Sequence, residues 1–536
     1  MTAPTLRPYQ RAAVEAIVEA RRAGTRRMVV CLPTGAGKTV VFAHLARLAR
    51  RQVLVLAHRE ELLSQARDKI ERAMDGASVV AIEQGAKKAP ADAKILVCSI
   101  RSLHEARLRK VVQGRDLGLI IYDECHHAAA EDNLRVLKQL GAFTVDWTGT
   151  LLGFTATTAR GDGQGLDAVF ERIVYARTLS EMIDDGYLVR LRGFRVATSA
   201  DLGQLSASSG LDFREEELSE AVDIEERNAL VARSIQELGR DRRTIAFCVT
   251  VRHARNLCKA LNHLGVPAGL VHGAMPTEAR VKALADFRDG RTQVITNVGV
   301  LTEGFDDPGV SCIAMVRPTR SEGFYAQCVG RGTRLHPGKK DCLILDFVDL
   351  GNLELCTLPS LFGMPRDLDL LGEDAEEARK AWAQLSFDYP GFEVEAGAIT
   401  LREIQDRAAH FDPLTLRVDA EVRAISSNAW ASLGRPGLLL HFERKNGAIS
   451  EVLVLLKAAR GKRWEVSIDA RVMERFSTVE EAVQAVDYEV AQMAPATRAS
   501  ALHGAAWRRA PAGDAGKTRE EALRLEVWKR VLSQRS

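Results

Sequence analysis

Two short segments carry residue types whose spacing suits phosphate chemistry. In LPTGAGKT (32–39), Gly35 and Gly37 let backbone N–H groups turn inward around an anion, and Lys38 brings a cation on a long stem. Thr39 brings a hydroxyl able to ligate Mg²⁺, and Pro33, Thr34 and Ala36 complete the loop. The strict GxxxxGK[ST] pattern has glycine at 32, where this chain has leucine. In IIYDECHH (120–127), two adjacent carboxylates follow an apolar run. Asp123 suits Mg²⁺, held through water, and Glu124 suits orienting and deprotonating an attacking water. The chemistry expected of the pair is hydrolysis of a nucleoside triphosphate. A metal site built from Cys125, His126 and His127 is disfavoured, because neighbouring side chains on a strand alternate faces.

Such a loop works only between a strand and a helix, and the chain supplies both. MVVCLP (28–33) reads as a buried strand ahead of the loop, and VVFAHLARLAR reads as a helix after it. An opening helix is expected from about Tyr9 to a stop at Gly24. Further buried strands are expected at 52–57, 94–99, 117–124 and 151–157. A second set is expected at 191–197, 244–249, 268–273, 293–298, 312–317 and 342–347. Alternation of short apolar strands with amphipathic helices predicts an α/β fold with parallel sheets covered on both sides. The Ser-rich, then acidic stretch 199–226 reads as a surface insertion or a loop-helix excursion. After Leu350 the alternation stops. Residues 351–400 are acidic with a helix over 373–385, a small antiparallel sheet is expected within 420–470, and helices over 478–493 and 518–532. Five of the six tryptophans fall in this last region, and a small sheet predicts them as core rather than as base-stacking surfaces.

Composition bounds the rest. The chain has 536 residues, 46% hydrophobic and 27% charged, with a net charge of +3, which excludes disordered, collagen-like and disulfide-scaffold classes. The nine cysteines form no C-x-x-C pair, so reduced thiols and no structural metal are expected. With no apolar run long enough to span a bilayer and no signal-like start, a cytoplasmic protein is expected.

The motifs in their order resemble helicase superfamily 2 over about residues 1–350. RPYQ (7–10) resembles the adenine-reading segment, which implies nucleotide roles for Arg7 and Gln10. LAHREELLSQA (56–66) and CSIRSL (98–103) look like strand-gripping motifs, with Arg59 toward nucleic acid. FTATTAR (154–160) resembles the coupling motif, with Thr155 and Thr157, to which His126 would connect. VITNVGVLTEGFDDPGV (294–310) implies Thr296 toward the nucleic-acid backbone and Gly304 and Asp306 toward the nucleotide. QCVGRGTRLHPGK (327–339) implies coupling by Gln327 and γ-phosphate contacts by Arg331 and Arg334. The RPYQ start, the DECH form and the TEGFD…GRGTR spacing are most similar to the RadD/XPB-like group and to helicase-like subunits of phages and restriction systems. The chain lacks the cysteine-rich zinc region of RadD-like proteins.

The resemblance implies two RecA-like domains, 1–185 and 186–350; the composition and patterning after 350 read as a mainly helical acidic connector (351–418), a small α+β accessory domain (419–493) and a basic, helical tail (494–536). It implies ATP and Mg²⁺ as cofactors. DNA is the expected partner, with a single strand across both core domains; RNA is less expected, and 351–536 is available to a protein partner. Unwinding of DNA in repair, recombination or replication is the leading expectation. A double-stranded DNA translocase, or a motor subunit of a restriction or defence complex, is the alternative.

Overall fold

A parallel strand pair cannot be closed by a tight turn, so the strands of the first 350 residues are joined by longer crossovers, many of which carry a helix across a sheet face. The computed structural model describes residues 5–533 except 58–66, 69, 72–79, 84–88, 91, 157–165, 203–204, 206–211, 303, 351–354, 390–391, 393, 395–398, 411–413, 415, 417, 434–436, 458–462 and 513–516. The chain divides into two compact units, Met1–Arg379 and Lys380–Ser536.

The first unit holds two parallel sheets. The first sheet contains β1 (Arg27–Cys31), β2 (Gln52–Ala57), β3 (Val80–Glu83), β4 (Ile95–Ser99), β5 (Leu117–Asp123), β6 (Thr150–Thr155) and β7 (Arg172–Ala176), in the order β3-β4-β2-β5-β6-β1-β7. Its central strands are buried on both faces, which is why they read in sequence as unbroken apolar runs. β3 and β7 escape that reading because they are edges whose residues are mostly half-buried or exposed. The second sheet contains β8 (Arg190–Asp201), β9 (Thr244–Phe247), β10 (Ala268–His272), β11 (Val294–Val298), β12 (Cys312–Met315) and β13 (Asp341–Leu350), ordered β10-β11-β9-β12-β13-β8. All neighbours in both sheets run parallel.

Two further stretches are tied into the first unit. The described part of 199–226 includes the helix Glu215–Val222, and Ala200, Leu202, Phe213, Leu218 and Val222 form a core cluster with Val249 and Leu355. The acidic run after 350 is tied to the basic strand β8. Asp367 pairs with Arg195 at 3.2 Å, Glu377 with Arg190 at 2.7 Å, and the Gly372 carbonyl accepts from Arg192. Its charge is thus matched to a neighbour in the same unit.

The second unit is built on a five-stranded antiparallel sheet, Ala431–Ser432, Gly437–Glu443, Ile449–Lys457, Arg463–Ile468 and Arg471–Phe476 in that order. The helix Val479–Gln492, started by the Thr478 and Glu481 capping box, buries Ala482, Val483, Val486 and Val490 against Trp430, Leu440, Phe442 and Val452. Trp430 and Trp507 are buried, as the core reading expects. The helix Arg519–Ser533 buries Val527 and Val531 on the sheet's Leu439 and Leu453. Among the described residues, no helix is long and apolar enough to cross a membrane.

Candidate active site

In the first sheet β5, β6 and β1 are adjacent, and their registers align Cys31 with Thr155 and Asp123 with Phe154. The three strands therefore end level. The loops that follow them lie side by side at the carboxyl edge, where open α/β sheets bind ligands. This adjacency brings together three motifs that lie far apart in sequence.

After β1, Gly35 has φ 90° and Gly37 φ 75°, a region that L side chains rarely adopt. Gly37 caps the helix α2 (Lys38–Leu48), so the loop's N–H groups converge at a helix N-terminus, where an anion is favoured. Thr34 is buried, and its hydroxyl has no hydrogen-bond partner in the protein among the described residues. A buried donor and a glycine-lined cradle are what phosphate oxygens require. The loop fits ATP, and Thr39 at the head of α2 with Asp123 at the end of β5 are the oxygen ligands available to Mg²⁺.

After β5 the backbone reverses at Glu124, a non-glycine residue with φ 52° whose N–H donates to Asp123 Oδ1 at 3.1 Å. Such a conformation costs on the order of 1 kcal/mol and recurs at functional sites. Here it aims the Glu124 carboxylate at the phosphate loop, with Oε1 3.0 Å from Lys38 Nζ and both side chains about nine-tenths buried. His126 Nδ1 lies 3.4 Å from Glu124 Oε2 and 3.3 Å from Thr155 Oγ1. Lys38, Glu124, His126 and Thr155 thus form one polar chain across all three loops. Burial raises the pKa of the Cys31 and Cys125 thiols beneath it, so both remain neutral neighbours.

The helix α1 (Pro8–Arg22) places the adenine-type residues. Gln10 is buried; its Oε1 accepts from the Arg7 N–H at 3.0 Å and its Nε2 donates to the Ala36 carbonyl at 3.4 Å. Tyr9 donates to the same carbonyl at 2.6 Å, and its ring lies 4.6 Å from that of Tyr187. The Arg7 guanidinium sits 5.8 Å above the Tyr187 ring. This segment is fastened directly to the phosphate loop.

The second sheet brings its own loop to the same place. A Cβ on Gly330 would lie 2.3 Å from Thr34 Cβ, and Thr333 Oγ1 lies 3.3 Å from the Thr34 carbonyl oxygen and 3.0 Å from that of Gly330, which share its one hydrogen. Arg334 Cγ lies 3.4 Å from where a Gly35 Cβ would stand. Arg334 pairs with Asp306 at 2.9 Å and donates to the Phe305 carbonyl at 3.2 Å. Burial lowers its pKa while Asp306 and Asp307 oppose that shift.

The structure places the remaining candidate residues as follows. Asp306 holds Arg334 in this conformation, and Gly304 is a turn residue with φ 74°. Arg331 is buried, donating through Nε to Thr302 O at 3.1 Å and through Nη1 to Phe305 O at 2.8 Å, so it braces its own lobe while Arg334 borders the phosphate loop. Gln327 is buried in the helix Glu322–Val329. Thr296 is fully buried, and its hydroxyl lies 3.0 Å from the Ala254 carbonyl oxygen and 3.3 Å from that of Gly269. Thr157 and Arg59 lie outside the described residues. Tyr9, Tyr187, Thr333 and Lys339 were not singled out from the sequence. Tyr9, Thr333 and Lys339 stand inside the motifs at 7–10 and 327–339, but nothing in a single chain marks an inward hydroxyl or ammonium.

Two parallel sheets sharing a phosphate loop, paired acids and an opposed arginine define a nucleotide-hydrolysing motor core. The type III restriction enzyme res subunit family model matches residues 3–160, and the helicase conserved C-terminal domain matches residues 226–336. The chain is 32% identical over 448 residues to the mitochondrial ATP-dependent helicase irc3 of Schizosaccharomyces pombe, covering 82% of this chain and 73% of that one. It is 33% identical over 388 residues to the IRC3 ATP-dependent helicase of Saccharomyces cerevisiae, covering 70% of this chain and 56% of that one. A solved fragment of an HsdR-type subunit of a type I restriction enzyme from Vibrio vulnificus shares the fold, with a TM-score of 0.51, 24% identity and 65% of each chain covered. The chain belongs to helicase superfamily 2, related to the phage and restriction group, and is an ATP-hydrolysing helicase.

Proposed function

We propose that this helicase couples ATP hydrolysis to movement along DNA and to strand separation, in repair, recombination or replication. The observation that carries the reading is the contact of Gly330 and Thr333 with Thr34, which sets the arginine loop of one lobe on the phosphate loop of the other. Lys38 binds the β and γ oxygens once it exchanges its Glu124 partner for phosphate. Thr39 and Asp123 would hold Mg²⁺, which would neutralise developing charge there. Glu124 orients the attacking water and takes its proton, and Arg334 meets the γ-phosphate from the opposite lobe. Loss of that contact after hydrolysis lets the lobes part, and each lobe's grip on a single strand changes in turn.

An unwinding assay over forked, 3′-tailed, 5′-tailed and blunt duplexes, with RNA versions alongside, tests this reading. Released strands from tailed DNA support it. DNA-stimulated hydrolysis without separation selects translocation instead, a reading favoured by 24% identity over 392 residues to a protein named DNA 3′-5′ translocase XPB2 from Sulfurisphaera tokodaii.

A further inference from the structure

Lys339 lies on a turn beyond the arginine loop, five residues after Arg334, and is not among the residues to which the motifs give a role. Its ammonium donates to three backbone carbonyls: Gly332 O at 2.6 Å, Arg334 O at 3.0 Å and Pro308 O at 3.2 Å. Two of these flank Thr333, which contacts the phosphate loop, and one is the carbonyl of Arg334 itself. The third belongs to the loop after β11, which also supplies Asp306, the partner of Arg334. One cation therefore joins the two loops that place the arginine. An ammonium has three N–H groups, and here each has a carbonyl.

We propose that Lys339 is a positioning residue that fixes Arg334 against the phosphate loop by holding the carbonyls of Gly332, Arg334 and Pro308 on a single ammonium. The inference rests on the assignment of Arg334 to the γ-phosphate. It carries a consequence for pH. A neutral amine has two N–H groups and a lone pair, and the lone pair would face a carbonyl oxygen, so deprotonation breaks the three-way tie. Burial brings the Lys339 pKa down to about 8. The groups facing it are Cys342 and Asp307, which favour the charged form, and Arg334 and Arg242, which disfavour it. The tie is therefore complete below about pH 8 and is lost as pH rises through it. Because this folded-state pKa is depressed, the group's own contribution to stability rises with pH above that point. A fall in turnover there is not unfolding driven by Lys339.

The test is the pH dependence of kcat and KM for ATP, from pH 7 to 9, in the full-length protein and in Lys339→Met and Lys339→Arg. The wild type should lose kcat with a midpoint near pH 8 while KM changes less than about twofold. Lys339→Met should turn over roughly 10²-fold more slowly at pH 7 with little change in KM and no step near pH 8, as misplacement of a catalytic group predicts. Lys339→Arg, permanently charged, should restore part of kcat and also lack the step. A step unchanged in Lys339→Arg overturns the proposal, and this arm stands even if Lys339→Met does not fold. Wild-type kcat in a folded Lys339→Met also overturns it. If Arg334→Ala hydrolyses ATP like the wild type, the Arg334 assignment fails first, so the two failures are distinguishable.

Discussion

Lys38 Nζ and Glu124 Oε1 lie 3.0 Å apart in a setting where both side chains are about nine-tenths buried. On the proposed roles, the cation for phosphate and the carboxylate for water hold each other here. Removing one member of a buried pair leaves the other uncompensated, at a cost of about 3–5 kcal/mol. Lys38→Ala should therefore abolish hydrolysis and also lower the melting temperature. Glu124→Gln keeps an amide oxygen facing Lys38 and should abolish hydrolysis with a smaller loss of stability. Parallel ATPase and thermal unfolding measurements separate the two; hydrolysis by either variant at the wild-type rate would contradict the assignment.

Gly330 has φ −60° and ψ −15°, ordinary helical backbone, so alanine there meets no backbone strain. Its added Cβ, however, would fall 2.3 Å from Thr34 Cβ. Gly330→Ala should leave thermal stability near the wild type and reduce kcat by about tenfold or more, by holding the lobes apart. Unchanged turnover would show that this approach of the lobes does not matter to catalysis.

His126 joins Glu124 to Thr155 through contacts of 3.4 and 3.3 Å. His126→Ala should retain basal ATP hydrolysis within about tenfold yet lose most of its stimulation by DNA, because the link between the acid and the β6 loop is broken. Hydrolysis measured with and without a DNA oligonucleotide checks this, and full stimulation in the variant would assign the ring a packing role.

How far the molecule could be read from its chain differs by region, for physical reasons. The strands β1, β2, β4, β5 and β6 were legible because burial on both faces demands unbroken apolar runs, and the phosphate loop because its chemistry demands Gly35, Gly37, Lys38 and Thr39 in one short span. The most exposed edges were not legible: β7 and the strand Arg471–Phe476 expose most of their residues and so carry no such run, whereas the edges β8 and β10 were read at 191–197 and 268–273. Nor was the direction of a buried polar group. Thr296 and Arg331 occupy motif positions, but whether a hydroxyl or guanidinium faces a ligand or its own backbone depends on carbonyls supplied by other segments.

His253 is wholly buried, with Nδ1 accepting from the Val249 N–H at 3.4 Å. Burial, aided by Arg227 and Arg252 and opposed by Asp223, lowers its pKa to about 4. A folded-state value below the ordinary 6.5 means that the unfolded chain binds the proton first. This group's stabilisation is therefore present above about pH 6.5 and is lost as pH falls toward 4, by about 3 kcal/mol in all. The difference in unfolding free energy between the wild type and His253→Leu should shrink across that window. A constant difference in urea titrations at pH 7 and pH 5 would place the acid sensitivity elsewhere.

The central claim is that one ATP site is completed by two lobes and answers to nucleic acid. The most direct measurement is steady-state ATP hydrolysis with and without single-stranded DNA, together with ATP affinity, for the wild type and Arg334→Ala. The account predicts DNA-stimulated turnover in the wild type, and in Arg334→Ala turnover reduced about 10³-fold or more with ATP still bound. Equal turnover in the two proteins, or wild-type hydrolysis indifferent to every nucleic acid supplied, would contradict it.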